Sequence, residues 1–106
     1  MTLQVFLEYN GDSVFVGLIE GTDSLDASFR YDAGYLSGKK SVPLSVSLPL
    51  QENAFTPAQT KSFFDGLLPE GFTRRSLAEQ LQRDVNDYCG ILSVVGQECI
   101  GAVRIA

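Results

Sequence analysis

Up to Leu50 the large apolar residues recur at every second position, and from Phe63 onward they recur three and four positions apart. A period of two places alternate side chains on opposite faces of a strand, whereas a period near 3.6 gathers them on one face of a helix. A chain that changes period once, midway, is confined to an α+β arrangement in which a β-rich half meets a helical half. Its 106 residues suit a single domain spanning 1–106, long enough to bury one core without disulfides or metal.

In the first half, Leu3, Val5, Leu7 and Tyr9 alternate with Gln4, Phe6 and Glu8. Asn10-Gly11 follows at once, and both residues tolerate the positive φ that a type I′ hairpin turn demands. The segment from Ser13 to Ile19 supplies the returning strand. After a turn at Glu20-Gly21-Thr22-Asp23, Leu25, Ala27, Phe29 and Tyr31 predict a third strand. Asp32 to Ser41 reads as a loop with one helical turn, its Lys39-Lys40 pair a solvated tip. Leu44, Val46, Leu48 and Leu50 predict a fourth strand, placed at an edge by Pro43 and Pro49.

Thr56-Pro57-Ala58-Gln59 carries the parts of a helix start: a capping threonine, proline at the first helical position and glutamine to complete a capping box. This helix should run to about Leu67 and stop before Pro69. Thr73 reads as the next cap, with Phe72 and Leu77 as a hydrophobic staple, ahead of a face of Leu77, Ala78, Leu81 and Val85. A third helix is expected from Asn86 or Asp87, ending at Gly96 as a left-handed cap. Ile100 to Ile105 completes the chain as a strand, with Gly101 allowing close backbone approach. The expected fold is α+β: an antiparallel β meander or partly closed barrel, then two to three helices and a C-terminal strand.

The composition excludes more chemistry than it supplies. With no histidine there is no Ser-His-Asp or Cys-His relay and no histidine-ligated metal or haem. Thirteen acidic against eight basic residues, a net charge of −5, argue against direct nucleic-acid binding and against anionic membranes. Cys89 and Cys99 lack metal or redox spacing and read as two buried small hydrophobes. Asp23/Asp26 and Asp84/Asp87 fall where aspartate serves turns and caps. The glycines form no phosphate-binding loop, and Arg74 and Arg75 read as exposed residues of a helical first turn. No cofactor and no metal are expected, and no enzymatic activity. The absence of a long apolar run or a signal peptide points to a cytoplasmic protein.

One segment stands apart. Phe63-Phe64-Asp65-Gly66-Leu67-Leu68-Pro69-Glu70-Gly71-Phe72 holds five large apolar residues in ten positions. Phe63 with Leu67, and Phe64 with Leu68, form two rows about 100° apart on the helix, a broader face than one sheet contact requires. Adjacent phenylalanines cannot both enter one narrow groove, so one is a candidate for exposure to a partner.

This segment, with Pro43-Leu44-Ser45-Val46-Ser47-Leu48-Pro49-Leu50 before it and Gly96-Gln97-Glu98-Cys99-Ile100-Gly101-Ala102-Val103 after it, resembles the N-terminal subdomain of the HipA-type serine/threonine kinase toxins. Order and spacing agree over nearly the whole chain, and the opening hairpin and Phe29-Arg30-Tyr31 fit as well. Such toxins continue for several hundred residues into a kinase core. A chain ending at Ala106 is therefore expected to be a free-standing copy, similar to the small component of split HipBST toxin–antitoxin systems. The resemblance implies an antitoxin that binds and neutralises a separately encoded HipT-like kinase near its active site, with a HipB-like DNA-binding protein in the same operon. The alternative is an accessory subdomain that completes or stabilises the kinase. By this analogy the partner-binding residues are Phe63, Phe64, Asp65 and Gly66, with Leu68, Glu70 and Phe72 beside them, and loss of the Phe64 side chain should spare the fold. An acidic protein would also be steered toward a basic nucleotide cleft.

Overall fold

The computed structural model describes residues 1–39 and 41–106; Lys40, half of the expected lysine tip, lies outside the described residues. Strands β1 (Thr2–Tyr9), β2 (Asp12–Glu20), β3 (Ser28–Tyr31) and β4 (Val103–Ile105) form one antiparallel sheet in the order β3-β2-β1-β4. Asn10 and Gly11, at φ 49° and 84°, make the hairpin between β1 and β2. The register steps between Val5 and Phe6, whose partners are Gly17 and Phe15, so Val16 is an extra residue that turns into the core.

Helix α1 (Ala33–Leu36) is the single turn expected after β3, capped by the Asp32 carboxylate. Helix α2 (Pro57–Phe64) begins with the full capping box of Thr56 and Gln59, and runs through a 3₁₀ turn at Asp65–Leu67. Helices α3 (Gly71–Gln80) and α4 (Tyr88–Val95) follow, the latter capped by Asp87. The helical half lies against one face of the sheet. Phe29 sits at the centre, its ring 4.9 Å from Tyr31, 5.3 Å from Phe64 and 6.0 Å from Phe55. Ile19, Val5, Ile91, Leu92 and Ile105 close the core around them.

The sheet is open, not a partly closed barrel. Its outer strands are instead closed by neighbouring segments. Beside β3, the amide of Phe55 donates to the carbonyl of Phe29 at 2.8 Å, and the amide of Phe29 donates to the buried Thr60 hydroxyl at 3.0 Å. Beside β4, Ile105 donates to the carbonyl of Gly96 at 2.7 Å, and Ile100 and Val103 exchange a pair of bonds. Closing an edge with local hydrogen bonds removes the need to curl the sheet onto itself.

Several local expectations change. The segment from Leu44 to Leu50 is not a strand: it holds one bridge, Ser45 to Leu48, with Leu48 buried and Val46 99% exposed. Pro43 and Pro49 remove ladder donors, and the Ser45 hydroxyl accepts from the Ser47 amide, bending the chain. Tyr31 pins it, donating its hydroxyl to the Leu48 carbonyl and accepting from the Leu44 amide at 3.0 Å. Leu25 is exposed in a turn gathered by the Asp26 carboxylate, which accepts from the Thr22 and Asp23 amides, so β3 starts only at Ser28. Gly96 is right-handed (φ −74°); a Cβ there would sit 2.6 Å from the Leu92 carbonyl and 2.8 Å from Ile105, so space selects the glycine. Gly101 is the reverse case, with φ +63° and nothing near its Cβ position, a turn requirement and not a close approach. Cys89 is buried but Cys99 is exposed.

Candidate partner-binding ridge

The chain leaves the 3₁₀ turn in extended geometry at Leu68 and enters α3 at Gly71 with φ +61°. Proline and glycine on either side of Glu70 thus make a sharp corner. Helix α3 therefore begins earlier than Thr73, with Glu70 as a cap residue that forms no side-chain cap bond. Phe72 falls inside its first turn, not before it, and the expected staple position is lost.

Across this corner Asp65 and Arg74 form an ion pair at 2.5 Å, with only 24% and 12% of their side chains exposed. Arg74 also donates to the carbonyls of Pro69 (2.7 Å) and Asp65 (3.0 Å). One guanidinium thus ties the end of the 3₁₀ turn to the start of α3, using the fork geometry that lysine lacks. Arg74 is a structural residue here, while Arg75 is exposed as expected.

The predicted residues divide sharply by burial. Phe64 is fully buried, packed on Phe29 and edge-on to Phe63 at 4.9 Å, and Leu68 is buried too. Neither side chain is exposed; both form the floor. Phe63 is half-buried against the core, and Asp65 is committed to Arg74. Gly66, Glu70 and Phe72 face solvent, Phe72 with 76% of its surface open. A shallow groove of about 350 Å³ runs beside them, lined by Asp65, Glu70, Gly71, Arg74, Arg75 and Asn86, with Val85 also at its wall. An exposed aromatic next to a charged rim is the composition of an interface anchor.

Below the groove the Tyr88 hydroxyl is buried without a hydrogen-bond partner among the described residues. Burial first, then neighbouring Cys89 and the Asp65 carboxylate, push this phenol above its ordinary range. Burial likewise raises the Cys89 thiol, so it is not a neutral-pH nucleophile. The aspartate pairs have structural tasks. Asp87 accepts from the Gly90 amide and the Ser24 hydroxyl, and backbone bonds from Asp23 and Thr22 hold the Asp26 carboxyl below its usual range. Among the described residues no three His, Cys, Asp or Glu side chains gather as metal ligands, and no helix is long and apolar enough to cross a membrane.

The role of Arg74 and the contribution of Val85 and Asn86 were invisible to periodicity. They depend on a corner that brings together residues nine and twenty positions apart, and only the Pro69-Glu70-Gly71 breaker marks it.

Comparison with known proteins adds a second line. The family profile described as HipA N-terminal domain matches residues 5–106. A protein of Sinorhizobium fredii named "Putative kinase Y4mE" is 32% identical over 106 residues, covering 99% of this chain and 25% of that protein. An uncharacterized protein of Haemophilus influenzae is 30% identical over 91 residues, covering 86% of this chain and 81% of its own length. The chain therefore spans a quarter of the first relative and most of the second.

Proposed function

This chain belongs to the HipA N-terminal domain family, and we propose that it serves as an antitoxin that binds and neutralises a separately encoded HipA-type, HipT-like serine/threonine kinase toxin. The observation that carries this reading is Phe72: a large apolar side chain held open to solvent on a corner that Arg74 fixes to Asp65. An aromatic anchor on a rigid support loses little freedom on binding, which is where interface energy concentrates. Gly66 and Glu70 extend the same surface, and Phe64, Leu68 and half-buried Phe63 hold it from beneath. The Haemophilus relative supports a free-standing role, because the shared domain makes up most of that protein.

On this reading the protein works in the cytoplasm, performs no catalysis, and shares a ternary complex with the kinase and a HipB-like DNA-binding protein. The relationship to Y4mE favours a second reading, in which the domain completes or stabilises a kinase, since there it corresponds to one part of a longer chain.

Co-expression with a HipA-type kinase from the same genome separates the two. Rescue of growth with loss of autophosphorylation, both abolished by Phe72→Ser, supports the antitoxin. Unchanged toxicity or raised kinase activity overturns it in favour of the accessory role.

A further inference from the structure

Ten glycines punctuate the chain, and all but one answer to the fold. Each of those either takes a positive φ or has a neighbouring atom within 3.2 Å of the place a Cβ would occupy. Gly66 does neither. It lies in the helical backbone of the 3₁₀ turn Asp65–Leu67, is exposed, and has nothing within 4 Å of its Cβ position. Alanine would fit there and would lose less conformational freedom on folding, so the folded monomer gains nothing from this glycine. Its carbonyl is also unclaimed. Pro69, three residues on, has no N–H, and Arg74 spends its donors on Asp65 and Pro69. Among the described residues no donor reaches the Gly66 carbonyl.

We propose that Gly66 is where the main chain of the kinase partner lies flat against this protein, with one peptide N–H of the kinase donating to the Gly66 carbonyl. This contact presupposes the antitoxin reading and adds how the kinase is held. Bare backbone is needed where another backbone must come close, because a Cβ holds two peptide planes apart. A long side chain behaves differently: an arginine or lysine of the partner would bend round a methyl group and still reach the carbonyl. The glycine therefore selects a main-chain donor over a side-chain one. Its position agrees. Gly66 follows Asp65, which Arg74 pins across the corner, so the turn that carries it is held in place. It faces solvent on the same ridge as Phe72. Aromatic anchor and bare backbone thus belong to one surface, steadied by one ion pair.

Titration calorimetry of the full chain against a HipA-type kinase from the same genome tests this, with Gly66→Ala, Gly66→Leu and Phe72→Ser beside the parent chain. Both Gly66 variants should keep or raise the thermal midpoint, since no atom opposes the new side chain. Kinase affinity should fall about tenfold or more for alanine and further for leucine, because interface cores pack as densely as protein interiors. The carbonyl carbon resonance of Gly66 should move downfield when the complex forms, as for a newly accepted hydrogen bond. Unchanged or raised affinity in either Gly66 variant, or a carbonyl resonance that stays put, would overturn the main-chain contact. A lowered midpoint in Gly66→Ala would do the same, returning the glycine to the fold. In each case the antitoxin reading survives if Phe72→Ser still weakens binding. A parent chain that does not bind the kinase overturns both.

Discussion

Asp65 and Arg74 meet at 2.5 Å across the corner between the 3₁₀ turn and α3, and the same guanidinium holds the Pro69 carbonyl. Replacing Arg74 by Met keeps the aliphatic stem and removes three charge-assisted bonds. The half-buried Asp65 carboxylate is then left without a partner, which should cost about 1.5–3 kcal/mol in urea unfolding. Arg74→Lys should recover only part of that loss, since an ammonium cannot reach two carbonyls and a carboxylate in one plane.

Two phenylalanines eight residues apart should behave oppositely. Phe64 is fully buried on Phe29, so Phe64→Ala should cost about 3–5 kcal/mol by thermal or chemical unfolding. That reverses the expectation that its loss would spare the fold. Phe72→Ser should change stability by no more than about 0.5 kcal/mol, yet weaken kinase binding in calorimetry. Equal destabilisation by the two would place Phe72 in the core.

Thr60 offers a test of edge closure. Its hydroxyl accepts from the Phe29 amide and donates to the Thr56 carbonyl. Thr60→Val keeps the volume but orphans a buried amide, so a loss of about 1–3 kcal/mol is expected. Amide exchange at Phe29 should accelerate beyond what the global loss accounts for.

Tyr88 supplies the pH dependence. Its phenol is held above the ordinary value near 10 in the folded state by burial. Above that ordinary value the unfolded chain sheds this proton while the folded chain keeps it, so the unfolded state is favoured as pH rises. The stability contribution is complete below the unfolded value and lost above it. Tyr88→Phe removes both the ionisation and the orphaned hydroxyl, so alkaline unfolding should move to higher pH with neutral-pH stability unchanged or raised.

What could be read along the chain was whatever depends on near neighbours. The Asn10-Gly11 hairpin, the Thr56/Gln59 capping box and the Asp87 cap are each written within four residues, and each formed. The Leu44–Leu50 alternation misled because a strand needs a partner with free donors, and two prolines and a serine turn withhold them. At the ridge, the sequence singled out the segment as a candidate but not the division between floor and surface. That division depends on which phenylalanine meets Phe29 and on Arg74 reaching back nine residues, facts of packing that no local pattern contains.

The partly covered outer strands β3 and β4 also limit how any partner can approach. Backbone groups of Phe29 and of the Val103–Ile105 strand are already spent on the protein's own loops. A second chain is poorly placed to extend this sheet by annealing a strand to it, the sequence-indifferent route by which small β proteins polymerise. Recognition is left to the faces and corners, so selectivity between related partners can change by single substitutions at the surface while the scaffold stays the same.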